Sequence, residues 1–243
     1  MGDVVAQTDV PVRNYKEYLD KETVPAPDRL TWQNLALPVA MITYGVIGIE
    51  NKELRSYNFE IREEVLEHID EKATIDDFMQ YAPGAAVYGL NAMGIKGRHK
   101  LVDGTIIYGS SLLVMMGIVT SLKLATHIER PDKSAKNSFP SGHTATAFAS
   151  AEFLWQEYKD VSIWYGLAGY SVAAATGIYR IMNNRHWLTD VVAGAGIGML
   201  TTKLAYFVFG QLKGHRVQEE RGIATFLPYY DSRQIGLNMS VAF

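Results

Sequence analysis

Apolar residues gather in six runs of helix length, 31–49, 77–94, 104–125, 142–158, 163–181 and 187–209, and polar clusters separate them. Runs of this length without strict alternation read as helices. At roughly 1.5 Å per residue, helices of about 17 to 21 residues are about 25 to 30 Å long, which suits antiparallel neighbours in a bundle. Residues 50–77 differ, being charged and mostly acidic. Ile61, Val65, Leu66 and Ile69 share one helical face there, which predicts a short surface helix. Thr74 with Asp77 three residues on resembles a capping box, so the next helix is expected to start there and run to about Gly94. Asp103 or Thr105 can cap the long segment ending at Lys123, and Ser141 can cap the helix after Pro140.

Both ends of the chain break this pattern. Residues 1–30 hold Pro11, Pro25 and Pro27 and little apolar periodicity, so they read as an irregular arm, with no apolar run that could serve as a signal peptide. After Gly210, residues 211–222 are charged and read as a solvated linker. Ile235, Leu237, Met239, Val241 and Phe243 then alternate at the period of a strand. The expectation is an all-α antiparallel bundle of about six core helices over 31–210, with a strand-like tail inside 211–243.

Composition narrows the function. A net charge of -3 offers no dominant basic face, which argues against a nucleic-acid partner. The absence of cysteine removes disulfides, thiolate nucleophiles and cysteine metal sites. A mean hydropathy of -0.03 is low for a membrane-embedded chain. Small residues nevertheless recur four apart at Gly169, Ala173 and Gly177 and at Gly194 and Gly198, a spacing that lets helix backbones approach closely.

The candidate chemistry lies between Lys123 and Asp190, in three polar clusters that interrupt the helices. The first runs from Lys123 to Arg130-Pro131, the second is Pro140-Ser141-Gly142-His143, and the third runs from Arg180 through Arg185-His186 to Asp190. In an antiparallel bundle the first closes one helix and the second opens the next. The third lies where one helix returns and the last begins, so all three meet at one end. Lys96, Arg98, Lys100, Lys159 and Lys213 fall at the other. Each residue alone has an ordinary reading: Lys123 and Arg130 as solvated helix-end cations, Ser141 as an N-cap, His186 and Asp190 as a structural i, i+4 pair. Together, three cations, a helix start able to take an anion at Gly142, and a histidine beside a carboxylate point to a site that handles phosphate. Arg185 is a weaker phosphate candidate than Arg180. Lys133 and Lys136 read as loop cations, and His68, His99, His127 and His215 as surface or supporting residues.

The pattern K-x6-RP, PSGH and R-x5-H-x3-D resembles the three signature motifs of the type 2 phosphatidic acid phosphatase (PAP2) and vanadium haloperoxidase superfamily. It covers residues 123–190 directly and, in helix order, about 31–209. Tyr179 departs from it, standing where many members have serine before the arginine. The resemblance implies that Lys123, Arg130 and Arg180 bind the phosphoryl oxygens with help from Ser141 and the Gly142 amide. It further implies that His186 is a nucleophile forming a phosphohistidine, that Asp190 orients it, and that His143 protonates the leaving alkoxide. No metal or other cofactor is implied for phosphatase chemistry, because the cations take the role metals fill elsewhere.

The resemblance implies a phosphatase acting on phosphate monoesters or pyrophosphates of lipids, such as phosphatidate, phosphatidylglycerol phosphate, a polyprenyl pyrophosphate or lipid A. A soluble periplasmic acid phosphatase is the main alternative, ahead of a vanadate-dependent haloperoxidase or a non-catalytic membrane protein. The integral branch of the family implies six spans, and the basic residues at the far end would place that end in the cytoplasm and the site facing the periplasm. Trp155, Tyr158, Trp164 and Tyr165 cluster at the far turn as an interfacial belt would.

Overall fold

A computed structural model describes residues 30–68, 74–221, 224–231 and 234–241, so the arm predicted over 1–30 lies almost wholly outside the described residues. The chain forms α1 (Trp32–Glu50), α2 (Lys52–His68), α3 (Asp76–Met79), α4 (Ala82–Ala92), α5 (Leu101–Thr126), α6 (Gly142–Tyr158), α7 (Ile163–Met182) and α8 (Leu188–Arg221). Two strands follow, β1 (Ala224–Asp231) and β2 (Gln234–Val241), paired antiparallel with Ala224 opposite Val241 and Asp231 opposite Gln234. Pro27–Gln211 groups into one compact unit and Leu212–Phe243 belongs to a second. The helical core is all-α as expected, and the strand-like tail is a hairpin, because a strand needs a partner for its backbone groups.

Three local expectations are corrected. The helix predicted from Thr74 to Gly94 is broken into α3 and α4, with Pro83 in the first turn of α4. A proline there cannot supply the amide that a continuous helix needs, but it suits a helix start. Thr74 and Asp77 form no capping box, and the side chain of Asp77 is used elsewhere. The stretch 211–221 is not an irregular linker but the end of α8, since charged, straight-chain residues such as Lys213, Gln218, Glu219 and Glu220 favour helix. The α5 helix starts at Leu101, before the caps proposed for it, and its N-cap is Lys100.

The core forms around α6, which packs on α4, α5 and α7. Ser141 caps it by accepting from the Thr144 amide, as predicted. Phe153 stacks on Tyr108 of α5 with ring centres 4.5 Å apart. Tyr158 is buried, and its hydroxyl donates to the Ile95 carbonyl at 3.0 Å, so it belongs to the core rather than to an interfacial belt. Glycines bring α8 against α6. A Cβ at Gly194 would lie 2.4 Å from the Ser141 carbonyl oxygen, and one at Gly198 would lie 2.1 Å from that of Ala145. The same device joins α1 to α8, where a Cβ at Gly196 would meet the Pro38 carbonyl at 2.6 Å.

Buried polar clusters occupy the interior of α6 away from Ser141. Glu152 accepts from Lys203 at 2.8 Å, from Gln156 and from Tyr170. Glu157 accepts from Tyr206 at 2.6 Å and pairs with the His99 ring at 2.8 Å, so His99 is a half-buried supporting residue rather than a surface one. The Arg98 amide donates to the Glu157 carbonyl, which places that basic loop at the end of α6 opposite His143, as expected.

The helices α1, α5 and residues Leu188–Lys213 of α8 are long and apolar enough to cross a membrane. Of the six predicted spans, these three qualify. The α4 helix has only 11 residues, and α6 is 17 residues long and contains Glu152 and Glu157. Leu37 and Val46 on α1, Leu113 and Met116 on α5, and Trp164 and Leu167 on α7 leave large apolar side chains exposed.

Candidate active site

Five chain segments meet at the Ser141 end of α6. The end of α5 supplies Lys123, whose ammonium donates to the Asn137 carbonyl. His127 then takes a left-handed conformation with φ of 50° and ends the helix. Arg130 follows in the loop, and its Nε donates to Asn137 Oδ1 at 2.9 Å. Asn137 therefore ties the first two cations to one short stretch, and sequence reasoning had no reason to single it out.

From the other side, α7 ends with Arg180, and Asn184 at φ 57° turns the chain toward α8. The Arg180 Nη1 donates to Asp76 Oδ2 at 2.7 Å, an ion pair in which the aspartate is 1% exposed. Asn183 Nδ2 reaches Asp76 Oδ1 at 3.3 Å. The Nε of Arg180 is buried and has no hydrogen-bond partner, alone in this respect among the side-chain nitrogen and oxygen atoms of the described residues. A buried donor without an acceptor is costly, and it is suited to an anion. Arg185 pairs with Asp132 at 3.2 Å.

His186 and Asp190 lie side by side at the start of α8, both buried. Asp190 Oδ2 accepts from Ser138 Oγ at 2.5 Å and from the Trp187 amide at 2.9 Å, so it also caps the helix. His186 Nδ1 lies 3.6 Å from Asp190 Oδ2 and 3.5 Å from Ser138 Oγ. At those distances Ser138 stands between carboxylate and ring, and the two make no short hydrogen bond to each other. The Ser141 amide donates to the Asp190 carbonyl at 3.0 Å, which fastens the start of α6 to the start of α8.

Ser141 thus uses its amide on Asp190 and its hydroxyl on Thr144, whose Oγ1 is 2.9 Å away. The first-turn amides of Gly142 and His143 remain to face an anion, as helix geometry leaves them without intrahelical acceptors. His143 Nε2 meets Asp77 Oδ1 at 2.8 Å. All the predicted members of the site are therefore at one end of the bundle. The structure adds Asp76, Asp77, Asn137 and Ser138. Of these, only Ser138 had a signal in the sequence, lying two residues before the PSGH cluster.

Electrostatics follow from this crowding. Burial pushes His186 down to about 4, with the Lys123 and Arg180 charges adding and Asp190 opposing. Burial and then the Arg180 charge hold Arg130 below the ordinary guanidinium range. The ring is therefore neutral, as a nitrogen nucleophile must be. Among the described residues no group of three or more His, Cys, Asp or Glu is placed to hold a metal ion.

Beside the cluster, Arg55, Asn58 and Phe59 of α2, Ile128 and Glu129 of the loop, and Trp187 line a cavity of about 290 Å³. It shares Asp190 with the site but includes none of the three cations. Trp187 is held there edge-on to Phe59 at 4.9 Å, and its indole donates to the Glu129 carbonyl at 2.9 Å.

A family model described as the PAP2 superfamily matches residues 104–213, which contain every motif residue named above. That segment of the chain is similar to the PAP2 superfamily. It is similar to a lipid A 1-phosphatase of Porphyromonas gingivalis, 44% identical over 135 residues, which are 55% of this chain and 30% of that protein. The chain thus aligns with less than a third of that relative's length. Among solved structures it resembles a transmembrane PAP2-type phosphatidylglycerolphosphate phosphatase from Bacillus subtilis. That match has a TM-score of 0.48 at 18% identity and covers 77% of this chain and 98% of the other. It also resembles LpxE of Aquifex aeolicus, with a TM-score of 0.47 at 22% identity, covering 61% and 94%. In PAP2 terms, Tyr179 is the one departure in the motifs. It makes none of the contacts that hold Arg180, which depend on Asp76.

Two outcomes follow from this geometry. Asp76→Ala should cost about 3–5 kcal/mol in reversible unfolding, the range for breaking a buried ion pair, because it strands the Arg180 charge. A His186 pKa held near 4 keeps the imidazole neutral as the pH falls from 7 to 5. An NMR titration of the His186 ring should accordingly show its midpoint near pH 4, and a midpoint at the ordinary histidine value of about 6.5 would contradict the burial argument.

Proposed function

We propose that the protein is a lipid phosphatase of PAP2 type that transfers the phosphoryl group of its substrate to His186 and then to water. The observation that carries this reading is the placement of Lys123, Arg130 and Arg180 around a buried, neutral histidine, with the Arg180 Nε left without an acceptor. A phosphoryl group supplies the missing acceptor oxygens.

The roles of the residues follow from their positions. Lys123, Arg130 and Arg180 bind and neutralise the equatorial oxygens, and the Gly142 and His143 amides add the positive end of the α6 helix. Ser141 acts by capping α6 and docking it on Asp190. His186 attacks phosphorus, and its ring gains positive charge as the nitrogen-phosphorus bond forms. Asp190, with Ser138 bridging, stabilises that charge. His143 gives a proton to the leaving alkoxide and later takes one from the water that releases phosphate. The three cations provide the charge stabilisation that metal ions provide in other phosphoryl-transfer sites, so the chemistry needs none.

Several observations support a lipid phosphate as substrate. The relative at 44% identity carries the name of a lipid A phosphatase. Three apolar helices have the length to span a bilayer, and the site lies at the end of α5 and the start of α8, two of those helices. The cavity beside Trp187, with aromatic walls and both Arg55 and Glu129 at its edge, offers room for a polar headgroup. Lys96, Arg98, Lys100 and Lys159 near the opposite end suit a cytoplasmic face, which orients the site toward the periplasm.

Incubation of purified protein with a ³²P-labelled lipid monoester and alkaline quenching should trap an alkali-stable, acid-labile phosphoprotein. His186→Ala should abolish both the label and turnover, and a label that persists in this variant would remove His186 as the nucleophile. Turnover should be unaffected by a chelator, whereas loss with chelator and recovery with Mg²⁺ would overturn the cation-only mechanism.

A further inference from the structure

The acidic pair Asp76-Asp77 stands on α3, outside the three clusters that carry the motif residues, and each carboxylate reaches a different member of those clusters. Asp76 is buried and holds Arg180 at 2.7 Å. Asp77 is half-exposed, lies 3.7 Å from the same guanidinium, and makes its short contact of 2.8 Å with His143 Nε2. The two aspartates therefore do different work. The longer distance to Arg180 is beyond hydrogen-bond range, and that arginine nitrogen already has Asp76.

We propose that Asp77 is the positioning residue for the proton donor of the reaction, holding His143 by Nε2 so that Nδ1 is the nitrogen that serves the leaving oxygen. This inference rests on the phosphatase reading above. The ring faces Asp77 and Asp76 from α3 and Arg180 from α7, so one cation and two carboxylates surround it, and Asp77 alone of these is in hydrogen-bond contact. Burial and then the Arg180 charge lower the His143 pKa, and the contact with the Asp77 carboxylate opposes them. In the first step the phosphorus-oxygen bond breaks as the His143 Nδ1 proton passes to the alkoxide, while the Nε2 proton stays on the ring, donated to Asp77. In the second, the neutral ring takes a proton from the attacking water at Nδ1, the oxygen-phosphorus bond forms, and the bond to His186 breaks. The cycle returns His143 to its charged form without net change.

An exposed ion pair contributes little to stability, so a purely structural role predicts almost no effect of losing Asp77. A positioning role predicts an effect that depends on the leaving group. An alkyl phosphate needs a proton on its departing oxygen, whereas 4-nitrophenyl phosphate releases a stable phenolate that does not. Asp77→Asn and His143→Ala should each be assayed on a lipid alkyl monoester and on 4-nitrophenyl phosphate, with NMR titration of the His143 ring in wild type and Asp77→Asn.

The expected result is a loss of kcat on the alkyl ester of about 10- to 100-fold in Asp77→Asn, a larger loss in His143→Ala, and much smaller losses on the nitrophenyl ester. KM should change little, the His143 midpoint should move to lower pH in Asp77→Asn, and Asp77→Glu should recover part of the rate. Equal losses on both esters, or a His143 midpoint that does not move, would overturn the assignment and leave the phosphatase reading intact. A wild-type protein inactive on both esters would instead overturn the phosphatase reading and this one with it.

Discussion

The Arg180–Asp76 ion pair is the contact on which the site depends. Three cations close enough to share one phosphoryl group repel each other, and burial makes that repulsion stronger. Asp76 offsets it at the deepest of the three, which is 7% exposed, and does so from α3, a segment of four residues. Lys123 and Arg130 need less compensation and receive it from the neutral carbonyl oxygens of Asn137. Charge balance is thus graded with depth, from a full ion pair to amide dipoles.

Helix ends do the remaining work. The start of α6 presents its first-turn amides to the cluster, and burial together with the Lys123 and Arg180 charges favours the neutral His186 ring. Asp190 serves both ends of this arrangement. Its carboxylate caps α8 and faces His186 through Ser138, and its carbonyl receives the Ser141 amide. A change at Asp190 therefore alters the surroundings of His186, the start of α8 and the start of α6 together.

Most of the site was legible in the chain because its residues sit at helix termini, and helix order alone decides which termini coincide. Lys123, Arg130, Ser141, His143, Arg180, His186 and Asp190 all follow from that alternation. Asp76 and Asp77 did not, because a Thr-x-x-Asp pattern before an apolar run satisfies the local rule for a capped helix equally well. What decided between the readings was tertiary: the charge of Arg180 and the ring of His143, both distant in sequence, compete for those carboxylates and win. The end of α8 was missed for a different reason. Charged residues such as Glu219 and Glu220 suit both a linker and a solvated helix, and Gly210 reads as a stop although the helix runs through it. The hairpin had only its second strand legible, since Pro228 interrupts the pattern of the first.

Gly194 and Gly198 place the backbones of α6 and α8 in direct contact, with Gly194 against Ser141 itself. Side chains can change rotamer, but two touching main chains have no such freedom. The spacing between the start of α6 at Gly142 and the start of α8 beside His186 is consequently rigid. A change in what the neighbouring cavity accepts would then leave this seam alone and remodel the α1–α2 corner around Arg55 and Phe59, which lines that cavity.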